Sequence, residues 1–223
     1  GCARQAPVYD PTARFMAYWT RGQQGKMQVE PIVFVTTPGG NDWYDVPKAN
    51  GRSYFTEPYM YPINGKDVLI ASLSAPIMVN GQFKGAVTGD FQLTTLGAML
   101  AEMKLMEQGT LSLISHRGTY ASNVDHALNG KQAKDLPAAA LEAVKQGKSY
   151  EYIDEHGMVH VLQPLRVSPD IAPWAISLTF PHSVATAPAR ELAVYAALVS
   201  VLCAVLAVFV MVTVQRRLTR PLR

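Results

Sequence analysis

Two Asn-Gly pairs separate three apolar segments in the middle of the chain and predict an antiparallel meander. The pairs are Asn64-Gly65 and Asn80-Gly81. Asn-Gly supplies the two residues with φ > 0 that a type I′ hairpin turn requires. The predicted strands are residues 57–62, 67–77 and 82–93. Because both connections are tight hairpins, we expect each strand to pair with the next one along the chain.

Upstream of the meander the pattern predicts two short strands and one helical turn. The strands are expected at residues 14–19 and at the β-branched run 32–36. Asp42 is of a residue type that caps a helix N-terminus. Trp43 and Tyr44 are therefore expected on a short helical turn just before the meander.

Downstream, the apolar period changes to that of a helix and then returns to that of strands. Apolar residues recur at helical spacing over 94–106, which predicts a connector helix with one buried face. A second helix is expected at 137–146, ended by Gly147. The remaining predicted strands are 111–115, 119–121, 150–153, 159–165 and 174–180. The fold class is therefore α+β, with two small strand-rich modules that bury more surface when stacked.

A run of 23 residues without a charged side chain, 192–214, predicts a transmembrane helix. Arginines follow it at 216, 217, 220 and 223. The positive-inside rule places that end in the cytoplasm and the residues before about 190 outside the inner membrane. A buried core helix is the alternative, but core helices rarely run this long without a charge.

Composition and residue spacing do not indicate a nucleic-acid, metal or catalytic site. The net charge is +3, and the basic residues cluster only at the C-terminus, which we interpret as a topology anchor and not as a nucleic-acid patch. His156 and His160 are four residues apart, but His156 lies in a predicted hairpin turn and His160 in the strand after it. They are therefore not on one helix, and no metal site is expected there. No nucleophile elbow or phosphate loop occurs, and no cofactor is predicted. A membrane-anchored hydrolase is kept as a hypothesis from another class.

Acidic and aromatic side chains mark both ends of the predicted meander. Residues two apart in a strand share a face, so Glu57, Tyr59 and Tyr61 are expected to point the same way. Asp90 interrupts an apolar strand and would be costly to bury without a partner. These positions indicate a pocket with aromatic walls and a carboxylate floor.

Such a pocket suits a small cation: an amine, a polyamine or a quaternary ammonium. An aromatic face attracts a cation by about 0.5–2 kcal/mol, and a carboxylate adds a charge-assisted hydrogen bond to an ammonium. The alternative is that the tyrosines are ordinary sheet residues and that Asp90 bonds only backbone amides. The candidate ligand-binding residues are Trp19, Asp42, Trp43, Tyr44, Glu57, Tyr59, Tyr61 and Asp90.

The order of short motifs along the chain resembles a double Cache sensor domain, the periplasmic part of bacterial chemoreceptors (methyl-accepting chemotaxis proteins) and of some kinases and cyclases. The motifs similar to its membrane-distal module are Asp42-Trp43-Tyr44, Thr56-Glu57-Pro58-Tyr59, Ile63-Asn64-Gly65-Lys66, Ala75-Pro76-Ile77, Gly81-Gln82-Phe83-Lys84-Gly85 and Gly89-Asp90. Pro173-Trp174 lies in a stretch similar to the membrane-proximal module. Residues 217–222 resemble the opening of a HAMP linker.

The resemblance implies a division of the chain. The expected segments are 1–106, an N-terminally truncated distal module with the connector helix; 107–190, the proximal module; 191–215, the membrane helix; and 216–223, the start of HAMP. It also implies a homodimer that signals to a chemotaxis kinase complex through a cytoplasmic part absent from this sequence. The alternatives are the sensor of a histidine kinase or diguanylate cyclase, or a ligand-free module that reads a partner protein.

One departure from the resembled family bears on the ligand. Amino-acid-binding members have an Arg two residues before the Trp-Tyr pair, where it clamps the ligand carboxylate. This sequence has Asn41 at that position, while Asp90 matches the acid that holds the ligand's amino group. The resemblance therefore implies an amine that lacks a carboxylate.

Overall fold

The computed structural model describes residues 8–9, 14–22, 25–103 and 108–218, and it contains two modules of antiparallel strands followed by one long helix. The end of the predicted connector helix, 104–106, and most of the HAMP-like stretch lie outside these residues. The elements of the first module are β1 (Ala17–Arg21), β2 (Met27–Pro31), α1 (Asp42–Asn50), β3 (Tyr54–Phe55), β4 (Tyr59–Ile63), β5 (Lys66–Val79), β6 (Gln82–Gln92) and α2 (Leu93–Glu102).

The predicted meander is present as β4, β5 and β6, paired antiparallel in chain order. Both Asn-Gly turns have positive φ at both residues: 51° and 72° at the first pair, 50° and 75° at the second. These values are what a type I′ turn needs. Strand β5 is the shared strand of the sheet and also pairs with β3. Strands β1 and β2 form a separate two-stranded hairpin.

The β-branched run 32–36 is not a strand, so this prediction is wrong. The strand ends at Pro31, and the run is held by side chains instead of by a partner strand. The amide of Val33 donates to the Tyr61 hydroxyl at 3.0 Å. The Asn41 side chain accepts from the Val35 amide at 3.0 Å and donates to the Val35 carbonyl at 2.7 Å. β-propensity was overridden because these bonds already satisfy the backbone.

The second module is a five-stranded sheet with the order β8-β7-β11-β10-β9. The predicted strands and the helix are confirmed, and Gly147 ends α3 in the left-handed conformation, with φ 63°. Its elements are β7 (Thr110–Ile114), β8 (Tyr120–Ser122), a 3₁₀ turn (His126–Leu128), α3 (Ala138–Gln146), β9 (Tyr150–Ile153), β10 (Met158–Leu165) and β11 (Trp174–Pro181).

The two modules share one hydrophobic core at their junction. Phe55 from β3 stacks on Trp174 from β11 with ring centroids 4.3 Å apart. Leu93 and Leu100 of α2 belong to the same cluster, together with Leu111 of β7. The connector helix therefore buries one face between the modules, as the period of its apolar residues predicts.

The last element is α4 (His182–Leu218), 37 residues long, which begins directly after β11. In the part of the chain that the structure describes, it is the one helix long and apolar enough to cross a membrane. An 18-residue stretch of it has a mean hydropathy of 2.9, and none of that stretch is buried inside the protein. At about 1.5 Å per residue it is longer than a bilayer core needs. The predicted span 192–214 lies inside it.

Candidate ligand-binding site

A small pocket lies between the β1–β2 hairpin, helix α1 and the meander. Its volume of about 10 Å³ is room for one water-sized group. It opens into a groove of about 1200 Å³ that runs between the hairpin and β6, and the two share Tyr18, Ile32, Trp43, Thr88 and Asp90. The residues that line the small pocket are Tyr18, Ile32, Trp43, Tyr59, Tyr61, Thr88 and Asp90.

Asp90 is the one charged side chain among the described residues that line the small pocket. It lies opposite Ser72 in the β5–β6 register and is partly buried. One carboxylate oxygen, Oδ1, is buried without a hydrogen-bond partner, and the nearby carboxylate helps to raise the pKa of Tyr18, after burial as the largest cause. A buried acceptor without a donor is costly. This oxygen is therefore able to accept a hydrogen bond from a bound molecule.

Three tyrosine hydroxyls surround Asp90. Burial, as the largest cause, raises the pKa values of Tyr18, Tyr59 and Tyr61, and the negative charge of Asp90 acts in the same direction on all three. The Tyr59 hydroxyl also hydrogen-bonds to Ser72 Oγ at 2.7 Å. Tyr18 and Tyr61 meet edge to face with centroids 5.3 Å apart. The hydroxyls stay protonated at neutral pH, so the pocket carries a single negative charge.

Trp43 forms a fixed wall of the pocket. Its side chain is only 5% exposed and stacks on Phe34 at 5.6 Å. The Ser74 hydroxyl donates to the Trp43 carbonyl, which ties α1 to the centre of the meander. Helix α1 begins at Asp42, directly after the Asn41 side chain that binds Val35. The local hydrogen bonds therefore set the position of the indole ring.

Two predicted aromatic residues lie outside the small pocket and line the open groove instead. Trp19 is 62% exposed, because adjacent residues of β1 point to opposite faces and Tyr18 takes the inner one. Tyr44 packs edge to face against Phe83 at 5.4 Å. Its ring face is already covered by the Lys48 ammonium, 5.4 Å from the centroid.

Glu57 does not share the face of Tyr59 and Tyr61, so the prediction that all three side chains point the same way is wrong for Glu57. Residues 56–58 lie between β3 and β4, outside any strand, and the alternation of side chains does not hold through them. The Glu57 carboxylate instead accepts from Ser115 Oγ at 2.6 Å, and its other oxygen lies 3.1 Å from His116 Nδ1. Glu57 therefore joins the two modules.

Asp42 is influenced by charges at this junction. Burial, the largest cause, raises the pKa of Asp42; the guanidinium of Arg117 opposes the rise, and the charges of Asp45 and Glu57 add to it. Asp42 lines neither the small pocket nor the groove as described. Of the eight candidate residues, the structure brings four together in the small pocket: Trp43, Tyr59, Tyr61 and Asp90.

Three residues of the small pocket are not among the predicted ligand-binding residues: Tyr18, Ile32 and Thr88. Thr88 lies two residues before Asp90 in β6 and shares its face, so the strand period could have identified it. To identify Tyr18, one must know which face of β1 points into the protein. That depends on how the hairpin folds over the meander. Ile32 lies in an irregular segment for which no period applies.

The chain is similar to chemoreceptor sensor domains. Residues 5–98 match the family described as "Methyl-accepting chemotaxis protein-like, first PDC sensor domain". The methyl-accepting chemotaxis protein TlpQ of Pseudomonas aeruginosa is 30% identical over 197 residues, which cover 80% of this chain and 27% of TlpQ. The chain thus spans about a quarter of the length of this curated relative. These matches, with the fold, support a chemoreceptor sensor domain of the Cache/PDC type.

Solved structures show the same fold. The extracellular domain described as that of the histidine kinase mmHK1S-Z3 superposes with a TM-score of 0.69 at 24% identity, covering 85% of this chain and 70% of that one. The ligand-binding domain of the Pseudomonas aeruginosa amino acid chemoreceptor PctB, in complex with L-Arg, gives a TM-score of 0.53 at 22% identity, covering 82% and 74%. The matched chemoreceptors and the apolar helix α4 together fit an inner-membrane location.

Proposed function

We propose that this chain is the extracytoplasmic sensor of a transmembrane chemoreceptor and that it binds a small cationic ligand (amine, polyamine or quaternary ammonium) at Asp90. The observation that carries the proposal is the buried, unpartnered Oδ1 of Asp90 at the floor of a pocket walled by Trp43, Tyr59 and Tyr61. None of the ion pairs found in the described part of the chain involves Asp90. A cation satisfies both the charge and the free oxygen.

An amino acid is the competing ligand, because PctB is solved with L-Arg. A ligand carboxylate needs a cationic or N–H partner beside the ammonium site. At the position where the amino-acid-binding members carry a clamping Arg, this chain has Asn41. Both polar groups of the Asn41 side chain already bind Val35. This arrangement favours an amine without a carboxylate.

Signalling from the pocket requires a mechanical path to the membrane. Strand β4 carries Tyr59 and Tyr61, and Glu57, just before it, binds the β7–β8 turn of the second module. The second module continues through β11 directly into α4. A ligand that shifts β4 therefore acts on a continuous chain of contacts that leads to α4. We expect the functional unit to be a homodimer that continues through HAMP to a cytoplasmic chemotaxis kinase complex.

The test is calorimetric titration of the sensor with polyamines, choline-like cations, simple amines and amino acids. We expect binding of at least one cation that lacks a carboxylate, with affinity that falls as ionic strength rises. Binding of amino acids alone would contradict the amine proposal. If none of the compounds binds and Trp43 stays packed in the core, the result would favour a module that recognises a partner protein.

The output is a separate question, and the fold shared with mmHK1S-Z3 keeps a histidine kinase as the second candidate. The segment that follows Arg223 in the whole protein distinguishes the two. A long heptad-repeat coiled coil is expected for a chemoreceptor, and a kinase or cyclase domain would assign the sensor to that class.

A further inference from the structure

The small pocket at Asp90 has the size and the polarity of a primary ammonium group. Its volume of about 10 Å³ holds one water-sized group. An –NH₃⁺ group is of that size and carries three donors, one of which can satisfy Asp90 Oδ1. A trimethylammonium group has no N–H, so it would leave that oxygen unpaired.

The groove beyond the pocket has no place for a second ammonium. Among the described residues that line it, Asp90 is the only acid, while Arg14, Arg21 and Lys84 are basic. Lys84 is exposed on β6 and its ammonium hydrogen-bonds to Gln82 Oε1 at 2.9 Å. A second ligand charge would lose hydration there without gaining a carboxylate.

The same groove offers apolar surface to an uncharged tail. Several of its hydrophobic side chains are exposed or half-buried; they are Ile77, Val87, Phe91, Leu96 and Met99. A ligand chain that leaves the pocket past Asp90 would cover part of this surface and gain from it. Glu30, a further carboxylate that acts on Tyr61, lines neither the pocket nor the groove as described.

We infer that the preferred ligand carries one primary ammonium and an uncharged apolar tail, and that diamines and quaternary ammonium compounds are discriminated against. The inference rests on the proposed function, because it concerns the same Asp90 site. Two independent features narrow the ligand class: the buried Asp90 Oδ1, which needs an N–H donor, and the sign of the charges along the groove.

The experiment is a calorimetric titration of the 223-residue chain in lipid nanodiscs. The probes share a four-carbon chain: n-butylamine, 1,4-diaminobutane and butyltrimethylammonium. We expect n-butylamine to bind roughly tenfold more tightly than butyltrimethylammonium, the effect of one lost charge-assisted hydrogen bond. It should also bind more tightly than 1,4-diaminobutane, because the second ammonium of the diamine loses hydration in the groove. Equal or tighter binding of the diamine or the quaternary compound overturns the inference and leaves the cation site standing. If none of the three binds, the proposed function fails as well.

A charge reversal in the groove tests the reason for the selectivity. Lys84→Glu should raise the affinity for 1,4-diaminobutane relative to n-butylamine by roughly threefold to tenfold, because the second ammonium gains an acidic neighbour. The matched control is Lys134→Glu, an exposed lysine of the second module, which should leave the ratio unchanged. An unchanged ratio in both variants would refute the role of the groove charges.

Discussion

Replacing Asp90 by asparagine removes the charge of the pocket and nearly keeps its shape, and we expect opposite effects on stability and on binding. A buried polar atom without a partner costs about 1–3 kcal/mol, and Asp90 Oδ1 is such an atom. The asparagine side chain is uncharged, and an unpartnered neutral group costs less to bury than an unpartnered charged one. Because Asp90 is only partly buried, we expect the free energy of unfolding of the ligand-free protein to rise by about 1 kcal/mol.

Binding of a cation should weaken in the same variant. A hydrogen bond to a charged group contributes about 1.5–3 kcal/mol, so the affinity for n-butylamine should fall by roughly tenfold to a hundredfold. Urea unfolding followed by tryptophan fluorescence measures the first effect, and calorimetric titration measures the second. Asp170→Asn, at an exposed position of the second module, is the matched control and should change neither quantity.

The refuting result is an Asp90→Asn variant that is less stable than the parent and binds n-butylamine equally well. Loss of stability would mean that the carboxylate makes favourable contacts within the folded protein. Unchanged affinity would mean that the ligand does not reach it. Either half alone would break the link between the unpartnered oxygen and the proposed binding.

Three further predictions concern the junction and the second module. Glu57→Gln should lower the free energy of unfolding by about 1–3 kcal/mol, because its hydrogen-bond donors lose a charged acceptor; the exposed Glu155→Gln is the control, and equal stability of the two would contradict this role. Burial, the largest cause, lowers the pKa of His116, so the unfolded chain binds the proton more readily. Stability measured by urea midpoints should therefore fall as pH drops below the ordinary value of 6.5, and His116→Gln should remove that slope. The hydrogen bond from His160, the largest cause, lowers the pKa of Asp154 from 3.8, so its contribution is present above that pH and is lost as pH falls through the lowered value; Asp154→Asn should flatten this acid limb, and an unchanged limb would argue against it.

The parts of the fold that the sequence predicts are those set by local interactions. Asn64 and Asn80 with their glycines accept the backbone conformation of a tight hairpin, whatever surrounds them. Gly147 ends α3 for the same reason. The prediction of a strand at 32–36 is wrong because the hydrogen-bond partners of this run, Asn41 and Tyr61, come from elsewhere in the chain. β-propensity alone does not predict such contacts.

In the candidate site, too, the residues set by local structure are predicted correctly and those set by tertiary contacts are not. Tyr59 and Tyr61 lie on one face because β4 is a regular strand there, and the strand period places them correctly. Glu57 precedes the strand, next to Pro58, and the period does not extend to it. Choosing Tyr18 over Trp19 required knowledge of how the β1–β2 hairpin lies over the meander, which is a tertiary fact.

The central claim is that a cation binds at the carboxylate of Asp90 between aromatic rings. The most direct measurement is an experimental structure of the chain with n-butylamine. We expect the amine nitrogen to lie about 2.7–2.9 Å from Asp90 Oδ1, the distance of a charge-assisted hydrogen bond, with its alkyl chain in the groove beside β6. An Asp90 side chain turned away from the amine, or paired with a lysine or arginine of the protein, would contradict it.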